Sequence, residues 1–198
     1  ERDLLVVFPI AALLIALVLG LLLRSVIAPL YLLGAVAVGF AATLGAGVAL
    51  FQGLGSEPGL LFILPVMLYL FVVAIGTDYN ILMIARLREE AGEGNDPRTA
   101  ADLAVEHAGP SVVSAGVILA GTFGSLLLAG VAFLTQMGAA VTVGIVLAAF
   151  VISVFLVPAV TALIGTRAWW PSRIDRGGAP AAPAAAAPAA AGDGTRPA

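Results

Sequence analysis

The sequence predicts an all-α fold, a polytopic transmembrane helix bundle of five spans, and three observations predict it. Of the 198 residues, 61% are hydrophobic and only 11% are charged, with a mean hydropathy of +1.11. A soluble domain of this length needs more polar surface, so composition already selects lipid as the solvent. Five apolar stretches are long enough to cross roughly 30 Å of hydrocarbon at about 1.5 Å per residue. The charged residues collect in the breaks between these stretches.

The first stretch, Leu4–Leu23, ends at Arg24-Ser25, and the second runs Val26–Phe51. Because one follows directly on the other, the first reads as a span rather than a cleaved signal peptide. A turn-rich loop, Gln52 to Gly59, leads to the third stretch, Leu60–Ala85. Next comes a polar insert, Arg86–Gly109, in which Asn95-Asp96-Pro97 is a helix-start signal for a short helix over about 97–107. The fourth span covers Ser111–Val131, and after the connection Gly130–Gln136 the fifth covers Met137–Leu163. Trp169-Trp170-Pro171 follows it, placing indoles at the height of the headgroups. Residues 1–171 thus form one transmembrane domain. Residues 172–198 form an Ala/Pro-rich tail that cannot bury a core and is predicted to be disordered.

All nine basic residues are Arg. Arg24, Arg86, Arg88, Arg98, Arg167, Arg173 and Arg176 fall on one side of the alternation, and Arg2 on the other. An excess of Arg marks the cytoplasmic side, which predicts an outside N-terminus and a cytoplasmic C-terminus in the cell (plasma or inner) membrane. The chain opens at Glu1 rather than Met, which suggests a piece of a longer protein.

Several function classes drop out. No basic stripe with interleaved aromatics exists, so nucleic acid is not an expected partner. With no Cys, and His107 as the lone His, neither a thiolate nor a His-rich metal site can form, and no cofactor or metal is expected. Intramembrane aspartyl proteases need two membrane Asp residues, one ionised and one protonated, and this chain has one; an enzyme is not expected.

That single residue is Asp78, the only charge deep inside a span. It lies eight residues before Arg86, roughly 12 Å from the Arg-rich helix end. An ionised Asp at a helix centre costs about 2.5–3.5 kcal/mol, so such a residue faces a bundle interior or a wet cavity and carries function by default. The bland alternative is a protonated Asp78 that hydrogen-bonds a neighbouring helix. Tyr79 adds a phenolic donor about 100° around the helix, and could equally be ordinary packing. Gly76 before them lets another backbone come close. Gly116, Ala120 and Gly124, with Gly121 and Ser125, recur at four-residue spacing on the fourth span and read as a helix-packing face. Ser111, Ser114 and Thr122 could support proton transfer near Asp78, or bond back to their own helix carbonyls. His107 reads as solvated, and Arg86, Arg88, Glu89 and Glu90 as helix-end anchors.

The run Gly76-Thr-Asp-Tyr-Asn-Ile-Leu-Met-Ile-Ala-Arg-Leu-Arg-Glu-Glu90 resembles the signature of the MmpL (mycobacterial membrane protein large) transporters of the resistance-nodulation-division superfamily. Leu21-Leu-Leu-Arg-Ser-Val-Ile-Ala-Pro-Leu-Tyr31 is similar to the link between the eighth and ninth spans of that family, and Ser114 to Phe123 to its eleventh span. Phe155-Leu-Val-Pro-Ala159, Gly165 and Trp169-Trp-Pro171 are similar to its twelfth. The resemblance stops near Arg176. It implies the last five spans of a twelve-span, proton-motive-force-driven exporter of lipids or other hydrophobic molecules, in which Asp78 and Tyr79 are one half of an intramembrane proton relay. The implied partners are the lipid bilayer, protons, a hydrophobic or lipid substrate and a missing N-terminal half carrying a matching Asp-Tyr pair; a homo-oligomer stays open. One departure stands out. Ala148-Ala-Phe-Val-Ile-Ser153 replaces the Asp-Ala-Phe-Val-Val-Arg common in the family, so the ionic contact implied there is lost. The competing reading is a non-transporting lipid- or sterol-sensing or scaffold domain.

Overall fold

The computed structural model describes residues 2–54 and 63–171, with side chains from Pro9 to Gln52 and from Ile63 onward. The predicted tail from residue 172, most of the turn-rich loop and the start of the third span lie outside the described residues. So do the side chain of Arg2 and the residues Arg173 and Arg176. What is described is helical, apart from short turns and one isolated bridge between Ser25 and Pro171.

Helix α1 spans Arg2–Leu23, a rise of roughly 33 Å. Arg24, with φ of +46°, turns the chain into α2, Ile27–Val48, which ends in a π-wound turn over Ala49–Leu54. Helix α3 covers Leu64–Gly92, with Pro65 in its first turn, where no amide partner is missed. Helix α4 covers Pro97–Gly124 and tightens to a 3-10 turn over Ser125–Leu128. The last rod starts as α5, Ala132–Val146, widens to a π-wound stretch over Leu147–Leu156, and resumes as α6, Val157–Ile164. The widened stretch stops just ahead of Pro158, whose ring would press on the carbonyl four residues back in a regular helix. Among the described residues four rods are long and apolar enough to cross a membrane: Ile27–Gln52, Leu64–Gly92, Pro97–Leu128 and Ala132–Trp169. In α1 the described side chains form a shorter apolar stretch, Pro9–Leu23.

Three connections differ from expectation. The polar insert is mostly helix, because α3 continues past Ala85 to Gly92 on ion pairs from Arg86 to Glu89 and Glu90. The short helix expected over 97–107 does not stop at His107. It runs through Pro110 into the fourth span as one helix. Proline there removes one intrahelical hydrogen bond, a loss that packed membrane helices tolerate. The connection before the last rod shortens too, since α5 begins at Ala132. The start signal at Asp96 works as its chemistry requires. Its carboxylate accepts the amides of Arg98 and Thr99 at 3.1 and 3.3 Å, and Pro97 fills the first turn.

Two apolar clusters hold the rods together. One gathers Leu23, Leu32, Met83, Leu87, Ala104 and Trp169 at the Arg-rich end. The other gathers Leu68, Val72, Tyr79, Val112, Val141 and Ala149 further along. The chain end is clasped to the α1–α2 turn: Ser25 Oγ donates to Ala168 O at 2.7 Å and Val26 N donates to Trp170 O at 3.0 Å. Trp169 therefore does not sit among headgroups as expected. It is buried, with the Arg88 guanidinium 5.9 Å from its ring centroid, while Trp170 stays 61% exposed.

Candidate intramembrane polar site

Residues 76–80 of α3 sort themselves around the helix at about 100° per residue. Gly76 is buried, and a Cβ there would lie 3.8 Å from Ala148 and 3.9 Å from Val36. Tyr79 packs into the second apolar cluster with Val112 and Ala148. Asn80 is buried and accepts a hydrogen bond from Ser153 Oγ at 2.7 Å, across 73 residues of sequence. Its Nδ2 and the buried Thr77 hydroxyl have no hydrogen-bond partner among the described residues. Asp78 alone points out of the bundle and is exposed, whereas its cost in lipid predicts the interior of a bundle or a wet cavity.

The outward face that carries Asp78 continues through Leu82, Ala85 and Glu89 on α3. Helix α4 borders it. Only 17% of the apolar stretch of α4 is buried, against 39% of α2, 44% of α3 and 50% of the last rod, so α4 is the least covered of these four rods. The two helices are antiparallel and their register can be read from contacts. Arg86 meets His107, Leu82 and Ser111 line one groove, and the rings of Phe71 and Phe123 touch edge-on at 5.1 Å. Each four-residue step back along α3 matches a four-residue step forward along α4. Asp78 is therefore level with Ser114 and Ala115.

This register separates the three hydroxyl candidates. Ser111 and Ser114 are exposed on the Asp78 face, one turn below it and beside it. Thr122 does not join them: it lies about two turns further along α4, level with Phe71, and donates to Ile118 O at 2.8 Å. Ser114 likewise donates to its own helix, to Ser111 O at 3.0 Å.

The packing glycines also divide. A Cβ on Gly116 would come within 2.7 Å of Ala149 Cβ, so α4 and the last rod touch there. Gly124 approaches Thr142 more loosely, at 3.7 Å. Gly121 is exposed with nothing within 4 Å of its Cβ position, so it is not part of a packing face within this chain. Tighter glycine contacts lie elsewhere. Gly138 sits against Leu126 Cβ at 2.7 Å and Phe123 O at 2.8 Å, and Gly144 against Val72 Cγ2 at 2.6 Å.

A second polar group lies at the Arg-rich end of the same face. The Glu90 carboxylate is almost wholly buried, and its Oε1 lies 2.7 Å from Arg86 and 2.9 Å from His107 Nδ1. Asn95 Nδ2 donates to the Glu90 carbonyl at 3.0 Å. His107 is thus half-exposed and bound to a carboxylate, rather than simply solvated. Sequence reading missed this group because Glu90 looks like any charge at a helix end until α4 covers it. Among the described residues no cluster of three His, Cys, Asp or Glu could hold a metal ion.

Comparison with known proteins points in one direction. The profile of the MMPL family matches residues 1–181. The chain is 36% identical over 179 residues to probable transport protein MmpL10 of Mycobacterium leprae (strain TN), covering 87% of this chain and 17% of that protein. It is 37% identical over 177 residues to the apo-petrobactin exporter of Bacillus anthracis, covering 89% of this chain and 24% of that protein. To the sulfolipid-1 exporter MmpL8 of Mycobacterium tuberculosis (strain ATCC 25618 / H37Rv) it is 36% identical over 176 residues, covering 86% and 15%. The chain spans less than a quarter of the length of these relatives.

Proposed function

Since this chain belongs to the MMPL family, whose relatives above are transport proteins and membrane exporters rather than enzymes, we propose that it is the C-terminal membrane half of a proton-driven exporter, with Asp78 as the proton carrier. The observation that carries this reading is the exposure of Asp78 on the outer face of the bundle. A carboxylate facing hydrocarbon at mid-span costs about 2.5–3.5 kcal/mol, and the helix has outward positions on either side where an apolar residue sits at no such cost. The cost disappears if a further membrane segment covers the α3–α4 face and offers a polar partner.

In this mechanism Asp78 alternates between protonated and ionised forms. The neutral form tolerates close packing against the covering half, and the ionised form draws in water or a donor, so each protonation state favours a different arrangement of the two halves. One charge crossing 100 mV is worth roughly 2.3 kcal/mol, enough to bias such an equilibrium strongly. Tyr79, packed inside the bundle, is the second member of the relay, and Ser111 and Ser114 line the approach to Asp78.

The rest of the reading follows from charge placement and kinship. Arg24, Arg86, Arg88, Arg98 and Arg167 share one end of the bundle, which supports an orientation with the N-terminus outside and the C-terminus in the cytoplasm of a plasma or inner membrane. The substrate class is lipid or another hydrophobic molecule, as the kinship to the sulfolipid-1 exporter suggests. The test is Asp78→Asn in the intact transporter. Export and proton flux should be abolished while membrane insertion and melting temperature stay as in the parent; unchanged proton-dependent export would sink the relay.

A further inference from the structure

We infer that His107, held by Glu90, is the cytoplasmic proton acceptor of the transport cycle, taking over the proton that Asp78 releases. The inference rests on the relay proposed above and adds its exit.

The geometry starts at Glu90. Its carboxylate is 2% exposed, lies roughly 18 Å along α3 from Asp78, and is held by Arg86 from its own helix and His107 from α4. A carboxylate so far removed from water must be compensated by cations or hydrogen bonds. Arg86 divides its two terminal nitrogens between Glu90 and the exposed Glu89, and Asn95 Nδ2 lies 3.4 Å from the second Glu90 oxygen. The other ionisable side chain in contact with Glu90 Oε1 is the imidazole of His107, at 2.9 Å.

The contacts also settle which ring nitrogen works. His107 Nδ1 lies 2.9 Å from Glu90 Oε1 and 3.1 Å from an Arg86 nitrogen. A carboxylate only accepts and a guanidinium only donates, so one Nδ1 cannot satisfy both. The shorter contact, to an ionised and buried acceptor, selects Nδ1–H donated to Glu90. That leaves Nε2 on the opposite edge of a ring that is half-exposed, free to accept a proton. From α3 the ring faces Arg86, Glu89 and Glu90, and on its own helix the adjacent charge is Glu106. The last rod carries no Asp, Glu, Lys or Arg before Arg167, and Gly165 just ahead of it packs on Pro97 at the far start of α4.

A route joins the two groups. A groove of about 510 Å3 between α3 and α4 is lined by His107, Arg86, Ser111 and Leu82, and Leu82 is one turn from Asp78 on the same face. The groove ends at Leu82 and Ser111, one turn short of Asp78, and in the inferred route water carries the proton across that turn beside Ser114. Protonated Asp78 gives its proton to this water chain and becomes carboxylate. Neutral His107 accepts a proton from the chain at Nε2 and becomes imidazolium while Nδ1–H stays on Glu90. Loss of the Nε2 proton to cytoplasmic water returns the starting state.

The experiment uses the intact transporter in vesicles under an imposed pH gradient, with proton flux followed by an entrapped dye. His107→Gln should lower flux about tenfold or more, as loss of a positioned acid–base group does. Imidazole added on the cytoplasmic side should restore it, and should restore nothing in Asp78→Asn. Normal flux in His107→Gln while Asp78→Asn is dead overturns the inference and spares the relay. Loss of flux that imidazole cannot rescue also overturns it, because His107 would then only support the fold. Normal flux in Asp78→Asn removes both.

Discussion

Asp78 and Asn80 stand two residues apart on one helix and occupy opposite surroundings. Asn80 faces the last rod, is buried, and is tied to Ser153 by a 2.7 Å hydrogen bond. Asp78 faces outward beside α4, the least covered of the four membrane-length rods. The inner interface has Asn80 Oδ1 matched by Ser153 and helices in near contact at Gly116, Gly138 and Gly144. The outer face carries a charge with hydroxyls beside it and no close packing at Gly121. The two faces of α3–α4 therefore differ: one is packed against the last rod, and the other is open around Asp78.

The largest effect should come from exchanging the roles of these faces. Asp78→Asn is expected to remove transport with the melting temperature unchanged, whereas Gly138→Ala is expected to do the reverse. An added methyl at 138 meets Leu126 Cβ and the Phe123 carbonyl oxygen, neither of which is the far end of a flexible side chain. Helices must shift, at a cost of about 1–3 kcal/mol, visible as a lower melting temperature in detergent. Gly121→Ala is the internal control. Nothing lies near that position, so its melting temperature should match the parent. Equal melting temperatures for the two glycine variants would break the comparison.

A smaller effect is expected at Ser153. Removing its hydroxyl leaves Asn80 Oδ1 without its donor in the middle of the bundle. Interhelical hydrogen bonds in membrane proteins average about 0.6 kcal/mol and reach roughly 1.7. Ser153→Ala should therefore lower the melting temperature modestly and leave transport by the folded protein intact. A Ser153→Ala variant that melts normally but no longer transports would place Ser153 in the working part of the site and erase the contrast with Asp78.

How much of this could be read from the residues depends on the distance over which each feature is decided. The cost of Asp78 was legible because a charge in an apolar run is costly whatever surrounds it, but its outward direction was not. The Asn95-Asp96-Pro97 start was legible because a cap acts within three residues. The true length of α3 was not, since falling hydropathy marks where lipid ends rather than where a helix ends. The Asn80–Ser153 bond joins positions 73 residues apart and depends on the rotation of two rods. Gly138 and Gly144 escaped notice for a related reason: the contacts that need them come from Phe123, Leu126 and Val72 on other helices. Their own spacing of six residues matches no packing motif.

The smallest expected effect lies outside both faces, at the start of α4, which has to be in place before either face exists. Hydrogen bonds from the Thr99 hydroxyl and amide, and from the Arg98 amide, hold the Asp96 carboxyl below its ordinary range. A carboxyl whose pKa is lower in the folded state stabilises that state above its unfolded value, about 3.9. The contribution disappears as pH falls through the lower, folded value. Asp96→Ala should therefore lower the melting temperature near neutral pH, with the gap from the parent narrowing only below about pH 4. A gap that stays constant down to strong acid would mean that backbone geometry, set by Pro97, starts α4 without help from the charge. In that case the register that puts Ser114 beside Asp78 would rest on the packing of Gly116 against Ala149 rather than on the cap.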